Sequence, residues 1–393
     1  MARLESSLFA PGTIDEIGRD DIVALAKSLG EPAVSIYLPV GLPGDVARDK
    51  TVLRDLVVQA SGELAEDGYH PARVKEVLEL PNRLLRDDTF FAEGMRGLAI
   101  FCGIEGERVL RLPLAPEPAY SVAASPWVVP LLPVMEGGGD FLILWLDLND
   151  VRLYLASRFS MSRLSTEDLD TSIEDVLPGE DRQAHISARA EGTSRAGRVA
   201  VFHARGVGEE MAKRHEEHFL EMLAAELAPQ LAEWSAPMVV VGTGELASSL
   251  AGRLSHIPVA AVRLEGSPSR ADERVVHARA WEAVESMMTA GHRAAVERFA
   301  ALAGTGYTTI ELDEVAAAAH DGRAESLLVS STRPAWGRRV SGSNQVELHE
   351  YAVIGDVDLV GSAVGDALAS GAEAYLANTE EAAFTPVGAI LRF

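Results

Sequence analysis

The chain of 393 residues holds one cysteine, Cys102, so it can form no internal disulfide and no cysteine-based zinc cage. Reduced cytosol is the compartment that fits. Long apolar runs are missing as well. The longest, near residues 141–148, has the length of a strand and is interrupted by Asp147, so nothing reaches membrane-spanning length. The N-terminal residues lack a basic segment leading into an apolar core, and no signal peptide is expected. Lysine is scarce, with only Lys27, Lys50, Lys75 and Lys213, so arginine carries nearly all of the positive charge. That charge is outnumbered, 35 basic residues against 59 acids and a formal net charge of -24. Coating of duplex DNA is excluded, since counterion release needs clustered positive charge. No internal repeat or low-complexity tract interrupts the chain, and an apolar content of 47% is that of a globular protein.

Standard catalytic signatures are equally sparse. No serine lies in a Gly-x-Ser-x-Gly elbow, and Cys102 falls in an apolar strand. The run from Gly41 to Lys50 lacks the Gly-Lys-Ser/Thr ending of a phosphate-binding loop, and Gly242-Thr-Gly244 has its third glycine only at Gly252. His215 and His218 share a helix face at a spacing of three, but a zincin needs a spacing of four and a third ligand. Asp147 and Asp150 flank a turn, which explains both. Trp281 and Trp336 read as packing residues. No metal or cofactor is expected.

What is present is local. Between residues 182 and 208 stand Arg182, Arg189, Arg195, Arg198 and Arg205 against the single acid Glu191, with glycines at 192, 197, 206 and 208. Arginine pairs with phosphate bidentately and glycine admits close backbone approach, so this stretch is a candidate polyanion site. Its reading is an Arg/Gly turn, a short apolar run, a second glycine turn at 206–208, and an amphipathic helix over about 209–234. Around it the periodicities predict an α/β protein of three α/β domains, at 1–130, 131–266 and 267–393. The first has a strand at 32–39, helices at 49–66 and 71–85, and strands near 98–103 and 108–113. The second opens with a hairpin about Asn149 and Asp150 and continues with strands at 238–241 and 259–264 around a helix at 245–254. The third starts with one long helix, about 270–302. Helices at 312–320 and 357–368 follow, with strands at 326–331, 373–377 and 387–393 and a polar loop at 332–345.

Several segments resemble the bacterial relatives of the archaeal and eukaryotic class-one peptide release factor, a group that includes Pelota. AVSIYLP and GMRGLAIF are similar to strands of that family's first domain. EMAKRHEEHF is similar to the helix after its catalytic loop, and FHARGVGEE to its own His-x-x-Gly-x-Gly segment. DEVAAAAHDGRAESLLVSS, Trp336–Gly337 and FTPVGAILRF resemble its last domain. The resemblance implies release-factor-like middle and C-terminal domains. Two departures matter. No Gly-Gly-Gln occurs anywhere, its place being taken by Ala196-Gly197-Arg198 or by Ala204-Arg205-Gly206, and the stop-codon-reading Asn-Ile-Lys-Ser is missing. The family therefore implies a cytoplasmic factor that occupies the ribosomal A site in hibernation, stress or rescue. It would hold rRNA through Arg195, Gly197, Arg198, His203, Arg205, Gly206 and Gly208, without peptidyl-tRNA hydrolysis. A translational GTPase such as elongation factor Tu is the partner expected by analogy. The competing readings are a rescue peptidyl-tRNA hydrolase and a metal-dependent nuclease or hydrolase built on the His and Asp residues of the middle block.

Overall fold

A computed structural model describes residues 4–7, 14–15, 17–27, 29–41, 46–87, 90–92, 95–136, 139–164, 201–231, 236–243, 245–254, 258–264, 272–330, 333–340, 345–377 and 386–393. They form an α/β protein with several sheets. Contacts divide the chain into two compact units. One comprises Met1–Ala10 with Gly139–Met288, the other Pro11–Gly138 with Thr289–Phe393. The first and last thirds of the sequence thus share one body.

From the N-terminus the elements are β1 (Leu4–Ser7), α1 (Arg19–Lys27), β2 (Ala33–Pro39), α2 (Val46–Glu66), α3 (Pro71–Val77), α4 (Glu79–Leu84), β3 (Gly97–Cys102), β4 (Glu107–Leu112), β5 (Ala119–Ala123) and α5 (Leu132–Glu136). The antiparallel order β4-β3-β2-β5 puts β2 inside, and six of its residues are buried. Alternate side chains serve two cores. Val34, Ile36 and Leu38 meet Leu53, Leu56, Val57, Ala60 and Leu64 of α2, while Tyr37 on the other face joins Phe101 and Trp127. Tyr37 meets both rings edge-on, at 5.8 and 5.4 Å, and its hydroxyl donates to the Trp127 carbonyl at 2.6 Å. The expected single helix over 71–85 is two helices with Leu78 between them. Pro81 causes the break, because it has no N–H and its ring would strike the carbonyl of Val77. Pro71 sits in the first turn of α3, where His70 Nδ1 accepts from the Ala72 N–H at 3.3 Å.

The other unit contains β6 (Phe141–Asp147), β7 (Asp150–Ala156), β8 (Met161–Leu164), α6 (Val201–Leu231), β9 (Met238–Thr243), α7 (Leu246–Arg253), β10 (Val259–Leu264) and α8 (Glu273–Met288). Its sheet runs β1-β8-β7-β6-β9-β10, with β6, β9 and β10 mutually parallel and the rest antiparallel. Leu142, Leu144, Leu146, Met238 and Val240 pack against α6 and α7; Phe141, Ile143, Trp145, Val239 and Val241 pack against α8. Both faces are covered, which is why β6 and β9 read as unbroken apolar runs. One expectation is corrected here. Residues 206–208 are not a turn, because α6 is already helical from Val201. Each glycine costs about 1 kcal/mol against alanine in a helix, but propagation from a docked C-terminal half adds one hydrogen bond per residue and outweighs it.

The remaining elements are α9 (Ala290–Leu302), β11 (Thr308–Thr309), α10 (Leu312–His320), β12 (Ala324–Val329), β13 (Trp336–Arg339), β14 (Val346–Leu348), β15 (Val357–Asp358), α11 (Leu359–Ala369), β16 (Glu373–Leu376) and β17 (Val387–Leu391). The long helix expected over 270–302 is divided at Thr289, where the two compact units also part. Thr289 and Gly291, both weak helix formers, bracket the division. The expected loop 332–345 contains β13, the middle strand of a small sheet ordered β14-β13-β15, and β11-β17-β12-β16 form a fourth sheet. Helices α1 and α11 approach so closely that a Cβ on Gly365 would lie 2.6 Å from that of Ala26. Beside them the Arg19 guanidinium bonds Glu373 at 2.5 Å and the Leu368 carbonyl at 3.2 Å.

Asp358 is the polar pivot of this unit. Its Oδ1 accepts from the N–H groups of Val360 (3.2 Å) and Ala335 (3.0 Å), capping α11 and anchoring the root of β13. Burial pushes its carboxyl from 3.8 up to about 7, against the opposing pull of the Ala335, Gly361 and Val360 amides. A carboxyl whose folded pKa exceeds its unfolded one stabilises fully below the unfolded value. That contribution is lost as pH rises through the folded value. Stability of the chain should therefore fall between about pH 4 and 7 with a slope approaching about 1.4 kcal/mol per pH unit from this group. Asp358→Asn keeps the accepting oxygen and cannot ionise, so urea midpoints across that range should be flatter in the variant. Equal slopes in the two proteins would show that Asp358 is not the titrating group.

Candidate nucleic-acid interface

The seven residues of the expected RNA site divide between two places. Arg195, Gly197 and Arg198 lie outside the described residues, within the 165–200 connection that leaves β8 and enters α6. His203, Arg205, Gly206 and Gly208 lie on the first turns of α6, which are helical in backbone; their side chains are outside the description. Helical spacing puts His203 with Gly206, and Arg205 with Gly208, on common faces.

Further along α6, Phe219, Leu220, Leu223, Leu227 and Leu231 are buried against the sheet, whereas Met211, Lys213, Arg214, Glu217 and His218 are exposed. The helix is fixed by its second half. On the charged face Glu216 is shifted upward by partial burial, then by the neighbouring Glu217 charge, with Lys213 opposing. Among the described residues no three His, Cys, Asp or Glu side chains gather as metal ligands, and His215 and His218 are not joined by a third.

The other residues considered from sequence have local partners. Asp147 Oδ1 accepts from the Asn149 N–H at 3.3 Å in the hairpin turn, and Asp150 pairs with Arg152. A Cβ on Gly242 would lie 3.1 Å from the Leu146 carbonyl oxygen, so this glycine serves strand packing; Gly244 is outside the described residues. Cys102 is buried, and burial pushes its thiol up to about 12, far from a nucleophilic thiolate.

Sequence reasoning missed one constellation. Helix α8 places Glu273, His277 and Trp281 at i, i+4 and i+8, and each engages β7 or the turn after it. The Tyr154 hydroxyl donates to Glu273 Oε1 at 3.0 Å. His277 Nε2 lies 2.8 Å from the Ser157 carbonyl and donates to it. Burial lowers the His277 pKa, with the Ser157 and Ser160 backbone opposing, so the ring is held neutral. Arg158 is exposed, and its guanidinium lies 5.6 Å from the Trp281 ring and 5.3 Å from that of Phe159. The only local signal was an Arg-Phe pair in a turn; Trp281 arrives from more than a hundred residues away.

Residues 140–323 match the model of bacterial archaeo-eukaryotic release factor family 3. An archaeal translation termination factor, aRF1, is 18% identical over 96% of this chain and 100% of its own, with a TM-score of 0.24. Archaeoglobus fulgidus Pelota is 12% identical over 100% of this chain and 98% of its own, at 0.32. Archaeal Pelota, from a model of it ribosome-bound with ABCE1, is 12% identical over 99% of each chain, at 0.37. Scores this low carry no argument about the fold. No curated protein matches.

The placement of α6 rests on its buried half. Phe219→Ala, at a fully buried position, should cost about 3–5 kcal/mol in urea unfolding of the whole chain. Met222→Ala, at a site 38% exposed, should stay within about 0.5 kcal/mol. Equal losses would show that α6 is not held by this face.

Proposed function

We propose that this chain is a ribosome-associated translation factor that occupies the A site of idle or stalled ribosomes. The observation that supports this reading most is the family match. It spans all seven Arg/Gly-segment residues, in a sequence that contains no Gly-Gly-Gln. In a release factor the two glycines admit a tight turn and the glutamine helps position water. Arginine at the corresponding place suits grasping a phosphate, and alanine tolerates positive φ poorly. In this reading Arg195, Gly197, Arg198, His203, Arg205, Gly206 and Gly208 hold rRNA, and peptidyl-tRNA is left intact. Segments 1–130, 131–266 and 267–393 act as three functional parts, the middle one carrying the RNA contact. The setting is the cytoplasm, in hibernation, stress or rescue, with a translational GTPase such as elongation factor Tu as the delivering partner. Among the described residues no helix is long and apolar enough to cross a membrane.

Ribosome pelleting tests the anchor. Arg195→Ala, Arg198→Ala and Arg205→Ala, singly and together, should weaken co-sedimentation while leaving the thermal midpoint unchanged. Each lost phosphate contact should flatten the plot of log K against log salt by about 0.9 for duplex-like RNA. Arg198→Glu should weaken binding further by adding repulsion. If the triple variant pellets like the unaltered protein at moderate salt, the segment is not the anchor. Catalysis is tested apart from binding. Purified protein added to ribosomes carrying peptidyl-tRNA should release no peptide above background. Release abolished by Arg198→Ala or His203→Ala would favour the rescue hydrolase instead.

A further inference from the structure

We infer that Arg158, stacked against Phe159 and Trp281, forms with Arg274 a second RNA contact that holds the phosphodiester backbone and one unpaired base. The inference rests on the reading that this chain binds RNA, and it adds a site away from the Arg/Gly segment.

The argument starts from charge. Some exposed arginines find a carboxylate, as Arg83, Arg108, Arg279 and Arg298 do, and others, such as Arg54, Arg96 and Arg253, have no ion pair among the described residues. Arg158 is exposed, yet among the described residues its recorded partners are two aromatic rings and no acid. The ring centroids lie 5.3 and 5.6 Å from the guanidinium carbon, and among the described residues no hydrogen bond engages its N–H groups, which leaves them available to a ligand. A planar fork fixed in this way is suited to bidentate phosphate recognition, and its outer face can stack a base. The site is also rigid. The turn carrying Arg158 is tied to α8 by His277 on Ser157 and, three residues earlier, by Tyr154 on Glu273. Trp281 in turn packs on Phe141 at 6.0 Å.

Arg274 supplies the second cation. It stands seven residues before Trp281, hence on the same face of α8 and about 10 Å away along the axis. It is exposed and has no ion pair among the described residues. Two exposed arginines, one of them against the Trp281 ring, suit a single strand better than an acidic peptide, which would gain nothing from the ring.

The test uses the full chain and two probes, a fluorescein-labelled single-stranded RNA of mixed sequence followed by anisotropy, and 70S ribosomes followed by pelleting. Arg158→Ala should raise the RNA dissociation constant about fivefold or more and flatten its salt slope by about 0.7, with an unchanged thermal midpoint. Arg158→Lys keeps the charge but not the stacked fork, so it should recover less than half of the loss. Arg274→Ala should weaken binding less, and Arg253→Ala, on α7, should stay within about twofold. Unchanged RNA binding in Arg158→Ala overturns the inference, as does an equal loss in Arg253→Ala, which would mean unspecific charge. If RNA binding follows the expected order while ribosomes do not pellet, the platform stands and the A-site reading falls. If ribosomes pellet and Arg158→Ala changes neither probe, the platform falls and the A-site reading stands. Should the unaltered protein bind neither, both fall.

Discussion

Two-sided burial of β6 is the constraint on which the unit with the six-stranded sheet depends. Leu142, Leu144 and Leu146 point to α6 and α7, and Phe141, Ile143 and Trp145 to α8, so one strand fixes helices on both faces. Burying each such side chain is worth about 1.5–3 kcal/mol, whereas Gly206 and Gly208 together cost α6 about 2 kcal/mol. The docked half of α6 therefore outweighs the weak half. The helix can be carried back to Val201, directly after the Arg/Gly connection, without any packing of its first turns being required. On the opposite face the same strand seats α8, and α8 brings Trp281 to Arg158.

Charge is distributed differently in the other unit. There Arg83, Arg108, Arg298 and Arg338 pair with Glu107, Asp21, Glu325 and Glu347 across exposed surface, where each pair contributes little to stability. Holding the first and last thirds of the sequence together falls instead to close packing of α1 on α11 and to buried polar anchors. Tyr37 donates to the Trp127 carbonyl, the Ala124 N–H donates to the Asp356 carbonyl at 2.7 Å, and Asp358 ties α11 to β13. These anchors are directional, so they fix register where apolar contact alone would allow sliding. His349 strengthens the set. Its hydrogen bond to Asp356 holds its imidazole above the usual histidine range, with Glu347 adding to the effect and burial opposing it.

What was legible in the sequence was whatever the local pattern decides. The apolar runs of β2, β6 and β9, the Asn149–Asp150 hairpin and the Pro71 helix start all follow from side-chain alternation, turn chemistry or proline geometry acting within a few residues. The division of 71–85 was also written locally, in Pro81, but the apolar period ran across it and concealed it. Thr289 and Gly291 are weak signals that become a helix end only in the folded chain. The start of α6 was misread for the converse reason, since two glycines look like a turn until a docked helix propagates through them. Pairing of β1 with β8, and the sharing of one core by the first and third blocks, depend on partners far along the chain, which no window can contain.

The same distinction separates the two parts of the candidate interface. The Arg/Gly segment is visible as composition because its residues are neighbours in sequence. The Arg158 platform is invisible as composition because its parts come from a turn and a helix that only the sheet brings together. Three side chains of the kinds that do covalent or proton-transfer chemistry are engaged locally. The Cys102 thiol is driven up by burial, neutral His277 is bound to a carbonyl, and Asp150 is bound to an arginine. Arg158 and Arg274 are exposed cations without a carboxylate partner among the described residues, as are Arg54, Arg96 and Arg253. Under the proposed function, such cations supply the grip. Its selectivity then depends on how rigidly β6 holds α6 and α8 in place, because a phosphate recognises a fixed fork far better than a free one.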